Sequence, residues 1–230
     1  IHENADLTAA EAHQIACGAF FDMGEGIGSG SIVNAAESLK EFVTDLDRRF
    51  TTKQLTRGLP TGNERMDEIT GCYANGDLIL IAARPSMGKS VYAIQTTLIN
   101  LSVLGDKRGM FFSLEMAPKK IQEQLIANVG GIDRNKLKFP HMMTESDWPK
   151  LQAAAGLIKR SDIEIADTPG ISVSELSAKA KREHSKRKLD YIVVDHIHLM
   201  GSNIENRVQQ MAQISGGLKK LARELNIPVI

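Results

Sequence analysis

Charge of one sign is what this chain most plainly lacks: 28 Lys and Arg balance 28 Asp and Glu over 230 residues. That excludes a uniformly basic surface, while leaving room for a local nucleic-acid patch. Cysteine is scarce, and Cys17 and Cys72 lie far apart in sequence, which suits a reducing compartment. No apolar run approaches the ~20 residues a helical membrane span needs, and the N-terminus carries no signal peptide. No membrane partner and a cytoplasmic location are therefore the expectations. Internal repeats and low-complexity tracts are absent. The chain also lacks an initiating Met: it begins at Ile1 and ends at Ile230 inside the apolar run N-I-P-V-I, so a fragment is expected. Its apolar content, 42%, suffices for one sizeable domain with an extension, or two small ones.

What is there is organised around Leu78–Ser90, L-I-L-I-A-A-R-P-S-M-G-K-S. An apolar run reading as a buried strand meets a turn-rich loop and then a helix-forming segment, the layout of a phosphate-binding loop. Gly88 lets the backbone approach the phosphates, Lys89 can reach the β- and γ-phosphates, and Ser90 can place a hydroxyl on Mg²⁺. Ala83 to Ser90 (with Arg84, Pro85, Ser86 and Met87 between) form the expected nucleotide cradle. The general pattern opens with Gly where this chain has Ala83.

Around the loop, T-A-A-E at Thr8 predicts a helix to about Asp22, and Gly24–Gly30 is a glycine-rich hinge. A second helix, about Ser31–Arg49, carries Ile32, Ala35, Leu39, Phe42, Val43, Leu46 and Phe50 on one face. It suits packing on its own domain or on a neighbouring subunit. A short helix at Glu64–Thr70 precedes Gly71 and an Asn75-Gly76 turn. The loop helix should run Lys89–Leu104. Thereafter strands (Gly109–Leu114, Ile163–Ala166, Tyr191–Asp195 and the C-terminal run) alternate with helices. The helices are Pro118–Val129, a short one at Asp133–Leu137, one opened by a T-E-S-D capping box at Thr144 and ending near Lys159, one opened by S-V-S-E and ending near Lys188, and Glu205–Leu225. Alternation of this kind predicts an α/β fold with a parallel sheet flanked by helices on both faces.

A phosphate loop needs an acidic partner for Mg²⁺, and the apolar strand D-Y-I-V-V-D delivers Asp195. Hydrolysis needs a base for the attacking water. Glu115, in F-F-S-L-E-M, stands at the tip of the strand after the loop helix. In a parallel sheet the C-terminal strand ends open onto one crevice, so Glu115, Asp195 and the loop can meet there.

In this order A-R-P-S-M-G-K-S, F-F-S-L-E-M and Y-I-V-V-D-H-I-H-L-M resemble the DnaB-type replicative DNA helicases, in which Ala as first loop residue is normal. D-T-P-G-I-S-V-S-E-L and the block from Glu205 to Ile230 resemble further family segments, and the similarity covers about Thr51–Ile230. The resemblance implies a RecA-like P-loop NTPase preceded by an N-terminal helical extension. Residues 1–30 would be a helical remnant and hinge, 31–50 a linker helix docking on the neighbouring subunit, and 51–230 the ATPase domain, incomplete at its C-terminus. It implies ATP and Mg²⁺ as cofactors, Lys89 and Glu115 as catalytic residues, and Ser90 and Asp195 as Mg²⁺ ligands. It implies a hexameric homo-oligomeric ring that translocates 5′ to 3′ along single-stranded DNA and unwinds duplex, with a primase and a helicase loader as partners.

The loop Gly201–Arg207 corresponds to a pore loop, so Arg207, Asn203, Asn206 and Lys219 are the expected DNA contacts, gripping phosphates without reading bases. The basic run Lys179–Lys188 reads instead as a solvated helix face. His196 and His198 stand where the family often has Tyr and Gln, and Gly216 where it often has Arg, divergence that suits a bacteriophage or mobile-element origin. His196 reads as packing or hydrogen bonding and His198 as a possible relay between DNA and the γ-phosphate. The family's S-Q-L-x-R segment and arginine finger are not in the sequence, so weak or slow nucleotide turnover is expected of this chain. The alternatives are a recombinase-type DNA-dependent ATPase and a non-motor ATP-binding assembly module.

Overall fold

The structure, a computed structural model, describes residues 34–52, 58–84, 86–201 and 206–230. The expected helix at Thr8–Asp22 and the Gly24–Gly30 hinge lie outside them, as do Pro85 and Asn203. The chain divides into two units, residues 1–54 and 55–230.

In the first unit, α1 spans Ala35–Thr52. Asn34 caps it by accepting from the Ala36 N–H at 2.9 Å. Asp45 pairs with Arg48 and Arg49 on successive turns. The apolar stripe read from the sequence is real and lies open: Leu39, Val43, Leu46 and Phe50 are all exposed.

The second unit opens with a two-residue antiparallel ribbon, β1 (Gly58–Leu59) with β2 (Tyr73–Ala74), closed around α2 (Glu64–Thr70). Asn63 caps α2, and Gly71 ends it at φ 75°, a left-handed conformation that costs glycine little. The loop helix begins as α3 (Lys89–Ile94) and widens into a π-helical run, Gln95–Val103. Buried Thr96 and Thr97 donate their hydroxyls to the carbonyls of Tyr92 and Ala93, competing with the regular helical ladder there.

Next come β3 (Gly109–Ser113), α4 (Pro118–Gly130), α5 (Arg134–Lys138) and a 3₁₀ turn at Pro140–Met142. Then α6 (Asp147–Arg160), β4 (Ile163–Asp167), α7 (Val173–Lys186), β5 (Tyr191–Asp195) and α8 (Arg207–Leu225) follow. The strands run parallel in the order β4-β3-β5, in a register that sets Ser113 opposite both Asp167 and Asp195. Every residue of β3 and β5 is buried. Their alternating side chains feed two apolar cores. Met110, Phe112, Ile192 and Val194 pack with α7 and α8, while Phe111, Tyr191 and Val193 pack with the loop helix and α4. The expected parallel sheet covered on both faces is therefore present.

Two local expectations are corrected. Leu78–Ala83 is not a buried strand. Leu78 and Ile79 ladder with Val229, which itself pairs beside β5, and the run then continues without a partner strand to an exposed Leu80 (61%). Among the described residues, the ladder of this run is limited to Leu78 and Ile79. T-E-S-D forms only half of its expected capping box: the Thr144 N–H reaches the Asp147 carboxylate, but the Asp147 N–H goes to the Thr144 carbonyl and not to its hydroxyl. Thr144 donates both its N–H and its hydroxyl to Asp147 Oδ2, which also takes the Lys136 ammonium, and α6 starts only at Asp147. The S-V-S-E box does form: Ser172 Oγ accepts from the Glu175 N–H, and the Glu175 carboxylate accepts from the Ser172 N–H.

Candidate nucleotide site

The loop residues Ala83, Arg84, Ser86, Met87 and Gly88 are exposed, and Ala83 and Lys89 at the loop's two ends share a cavity with Asp195 at the C-terminal end of β5. Ser86 and Gly88 take positive φ values, 65° and 84°, and the Met87 N–H closes a turn onto the Arg84 carbonyl. Such alternation turns backbone N–H groups toward a common point, the anion cradle expected of this motif. Gly88 is the residue directly before α3, so Lys89 and Ser90 occupy its first turn.

Two strand ends are brought to the same place. The Leu114 N–H donates to the Asp195 carbonyl at 2.8 Å, tying the end of β3 to the end of β5. Ser113, fully buried, donates its hydroxyl to the Met116 carbonyl and accepts from the Met116 N–H, a tight turn that carries Glu115 at its apex. Glu115 is 58% exposed there, as a base for external water must be. Asp195 is the opposite: 3% exposed, with Oδ2 buried and lacking a hydrogen-bond partner among the described residues. A buried carboxylate oxygen left over in this way suits a Mg²⁺ ion or its bound water; Ser90 is not among the residues lining the cavity that Asp195 shares with Lys89. Among the described residues no three His, Cys, Asp or Glu side chains are grouped to hold a metal. A Mg²⁺ held largely by phosphate and water needs no such group.

Lys89, Asp195, His196 and His198 line one cavity of about 230 Å³ with Ala82 and Ala83. A larger open groove, about 690 Å³, lies between α7 and α8 and contains none of these residues. His196 Nδ1 lies 3.1 Å from Glu115 Oε2. Burial, then Arg207, His196 and Lys89 nearby, hold the His198 imidazole below its ordinary value, so it is neutral at physiological pH.

The expected DNA contacts separate. Arg207, exposed at the first turn of α8, is near enough to His198 to act on its charge. Asn206 is engaged as the α8 cap, accepting from the Val208 and Gln209 N–H groups. Lys219 lies three turns along α8, donating to the Gly76 carbonyl and paired with Asp77 at 2.8 Å. The relation of His196 to Glu115 was missed from sequence. The available signal was register: Ser113 opposite Asp195 makes the residues just beyond them neighbours.

A sequence profile described as DnaB-like helicase C-terminal domain matches residues 58–230. The chain belongs to the DnaB-like helicase family. Among DnaB-like relatives, it is 36% identical over 200 residues to the replicative DNA helicase DnaC of Bacillus subtilis, covering 86% of this chain and 44% of that protein. It is 34% identical over 205 residues to the replicative DNA helicase DnaB of Geobacillus stearothermophilus, covering 88% and 45%. The chain thus spans about half the length of the curated relatives it matches. Among solved structures, one described as an ATPase domain superposes with a TM-score of 0.76 at 32% identity, covering 88% of this chain and 70% of that one. A DnaB-like replicative helicase, whose structure was described together with its interactions with primase, gives 0.72 at 31% identity, covering 94% and 52%. The RecA-like ATPase fold expected of DnaB-like chains is therefore the fold observed.

Proposed function

We propose that this chain is the ATP-hydrolysing motor segment of a replicative DNA helicase. The reading is supported by the bond from the Leu114 N–H to the Asp195 carbonyl, which ties the strand end before Glu115 to a buried Asp195 that shares a cavity with Ala83 and Lys89 of the phosphate loop. In this reading the loop N–H groups from Ala83 to Ser90 cradle ATP phosphates and Lys89 offsets charge on the β- and γ-phosphates. Ser90 and Asp195 hold Mg²⁺, which would polarise the γ-phosphate when bound. Glu115 orients the attacking water and takes its proton. Arg207 grips DNA phosphate, and neutral His198, between Arg207 and Lys89, relays DNA engagement to the nucleotide.

The assembly we propose is a ring in which residues 31–50 dock on the neighbouring subunit, translocating 5′ to 3′ on single-stranded DNA in the cytoplasm. Primase and a loader are the proposed partners, the first by likeness to the relative described with primase. The test is nucleotide affinity in Mg²⁺. Lys89→Ala should weaken ATP binding at least about tenfold, as loss of a charge-assisted phosphate contact requires. Unchanged affinity would remove the loop from the account.

A further inference from the structure

Glu115 is a base with little to hold it. Its carboxylate is more than half exposed, and among the described residues its one charged or hydrogen-bonding neighbour is His196. His196 is held far better. Its side chain is only 22% exposed and follows directly on the buried end of β5. Its carbonyl accepts from the Leu199 N–H in the 3₁₀ turn Ile197–Leu199, and its ring is flanked by that of His198 at 5.9 Å. His196 Nδ1 is buried and makes no hydrogen bond within the described residues, yet Glu115 Oε2 stands 3.1 Å away. The distance is within hydrogen-bond reach, yet the bond is not made. A rotation of the exposed carboxylate about its terminal torsions would complete the bond, as base contacts often tighten when substrate is bound.

We propose that His196 is a positioning residue for Glu115. With its proton on Nδ1, the imidazole donates to Oε2 and fixes the carboxylate plane. Oε1 is then left to accept the proton of the attacking water. The inference rests on the reading of Glu115 as the base. It assigns His196 no contact with nucleotide and no transfer of a proton. The unpartnered buried Nδ1 has a direct chemical use in this arrangement, which packing alone does not give it.

The experiment is single-turnover ATP hydrolysis with Mg²⁺ and single-stranded DNA, with ATP affinity measured on the same samples. His196→Ala should slow hydrolysis about 10–100-fold, the usual cost of removing a group that orients a catalytic one, with affinity changed less than about twofold. His196→Asn, whose amide can donate from nearly the Nδ1 position, should recover most of the rate. Glu115→Gln should be slow by itself, and adding His196→Ala to it should cost little more, since there is no longer a carboxylate to orient. Full activity in His196→Ala beside an inactive Glu115→Gln overturns the positioning role alone. An active Glu115→Gln overturns the base assignment beneath it. If His196→Asn is as slow as His196→Ala, or if affinity falls in step with rate, the role is structural or acts through Asp195, and the proposal fails.

Discussion

Glu115 stands at the apex of a turn because Ser113, two residues earlier, closes that turn with its own hydroxyl. Asp195 is buried because the β-branched run before it is pressed between two cores. Identical carboxylates thus receive different environments, one wet and one dry, and the proposed division into base and Mg²⁺ ligand follows. At this scale Arg207 separates from the other DNA candidates, since Asn206 and Lys219 already have partners in the fold. Arg207→Ala is expected to weaken single-stranded DNA binding about uniformly across sequences and to lower the salt slope of log K by about 0.7, the single-strand value per phosphate. A titration over a salt series reads both. The residue types and spacing are what single out Lys89, Ser90, Glu115 and Asp195 as candidates in the sequence. The partners of Asn206 and Lys219 were not legible there, because Lys219 reaches Asp77 across 142 positions of chain and no local pattern encodes that.

At the scale of elements, α2 and β5 end where the sequence puts them, because Gly71 and Asp195 are strong local stops for helix and strand. Two other elements depart from their local pattern. The loop helix turns π-helical where buried threonines compete for its carbonyls, an effect invisible to a periodicity of 3.6. At the start of α6, the Asp147 carboxylate makes its half of the box and also takes the Thr144 hydroxyl and the Lys136 ammonium, while the helix itself begins only at Asp147. The Lys136 ammonium, then the Thr144 N–H and hydroxyl, hold the Asp147 carboxyl well below the usual carboxylate range. Since its folded value lies below its ordinary value of 3.8, its stabilisation is present above that pH and is lost as pH falls through the folded value. Asp147→Asn should therefore lower Tm at pH 7 and flatten the decline of Tm below about pH 4. Thermal melts from pH 7 to pH 3 would check both; parallel curves for the two proteins would contradict it.

For the whole molecule, the parallel order β4-β3-β5, extended by Pro228–Ile230 and then by Leu78–Ile79, sends the phosphate loop, Glu115 and His196 to one side of the sheet. Alternation of strand and helix made that legible in advance. The pairing of Leu78 and Ile79 with Val229 was not, because apolar content does not reveal which strands are neighbours. The apolar stripe of α1 is exposed, with Phe50 at 86%, which is what a helix that docks on another subunit requires. Leu46→Glu is expected to shift the protein toward smaller species in sedimentation while leaving the melting of the 55–230 unit within about 0.5 kcal/mol, as for a surface substitution.

In the proposed function, Glu115 activates water at a site where Lys89, Ser90 and Asp195 hold Mg²⁺–ATP. The most direct test of this role compares single-turnover ATP hydrolysis by the wild-type chain and Glu115→Gln, with ATP binding measured in parallel. Binding should be equal and the rate lowered about 10²–10⁴-fold, the range supplied by a positioned general base. Equal binding with an unchanged rate would contradict it.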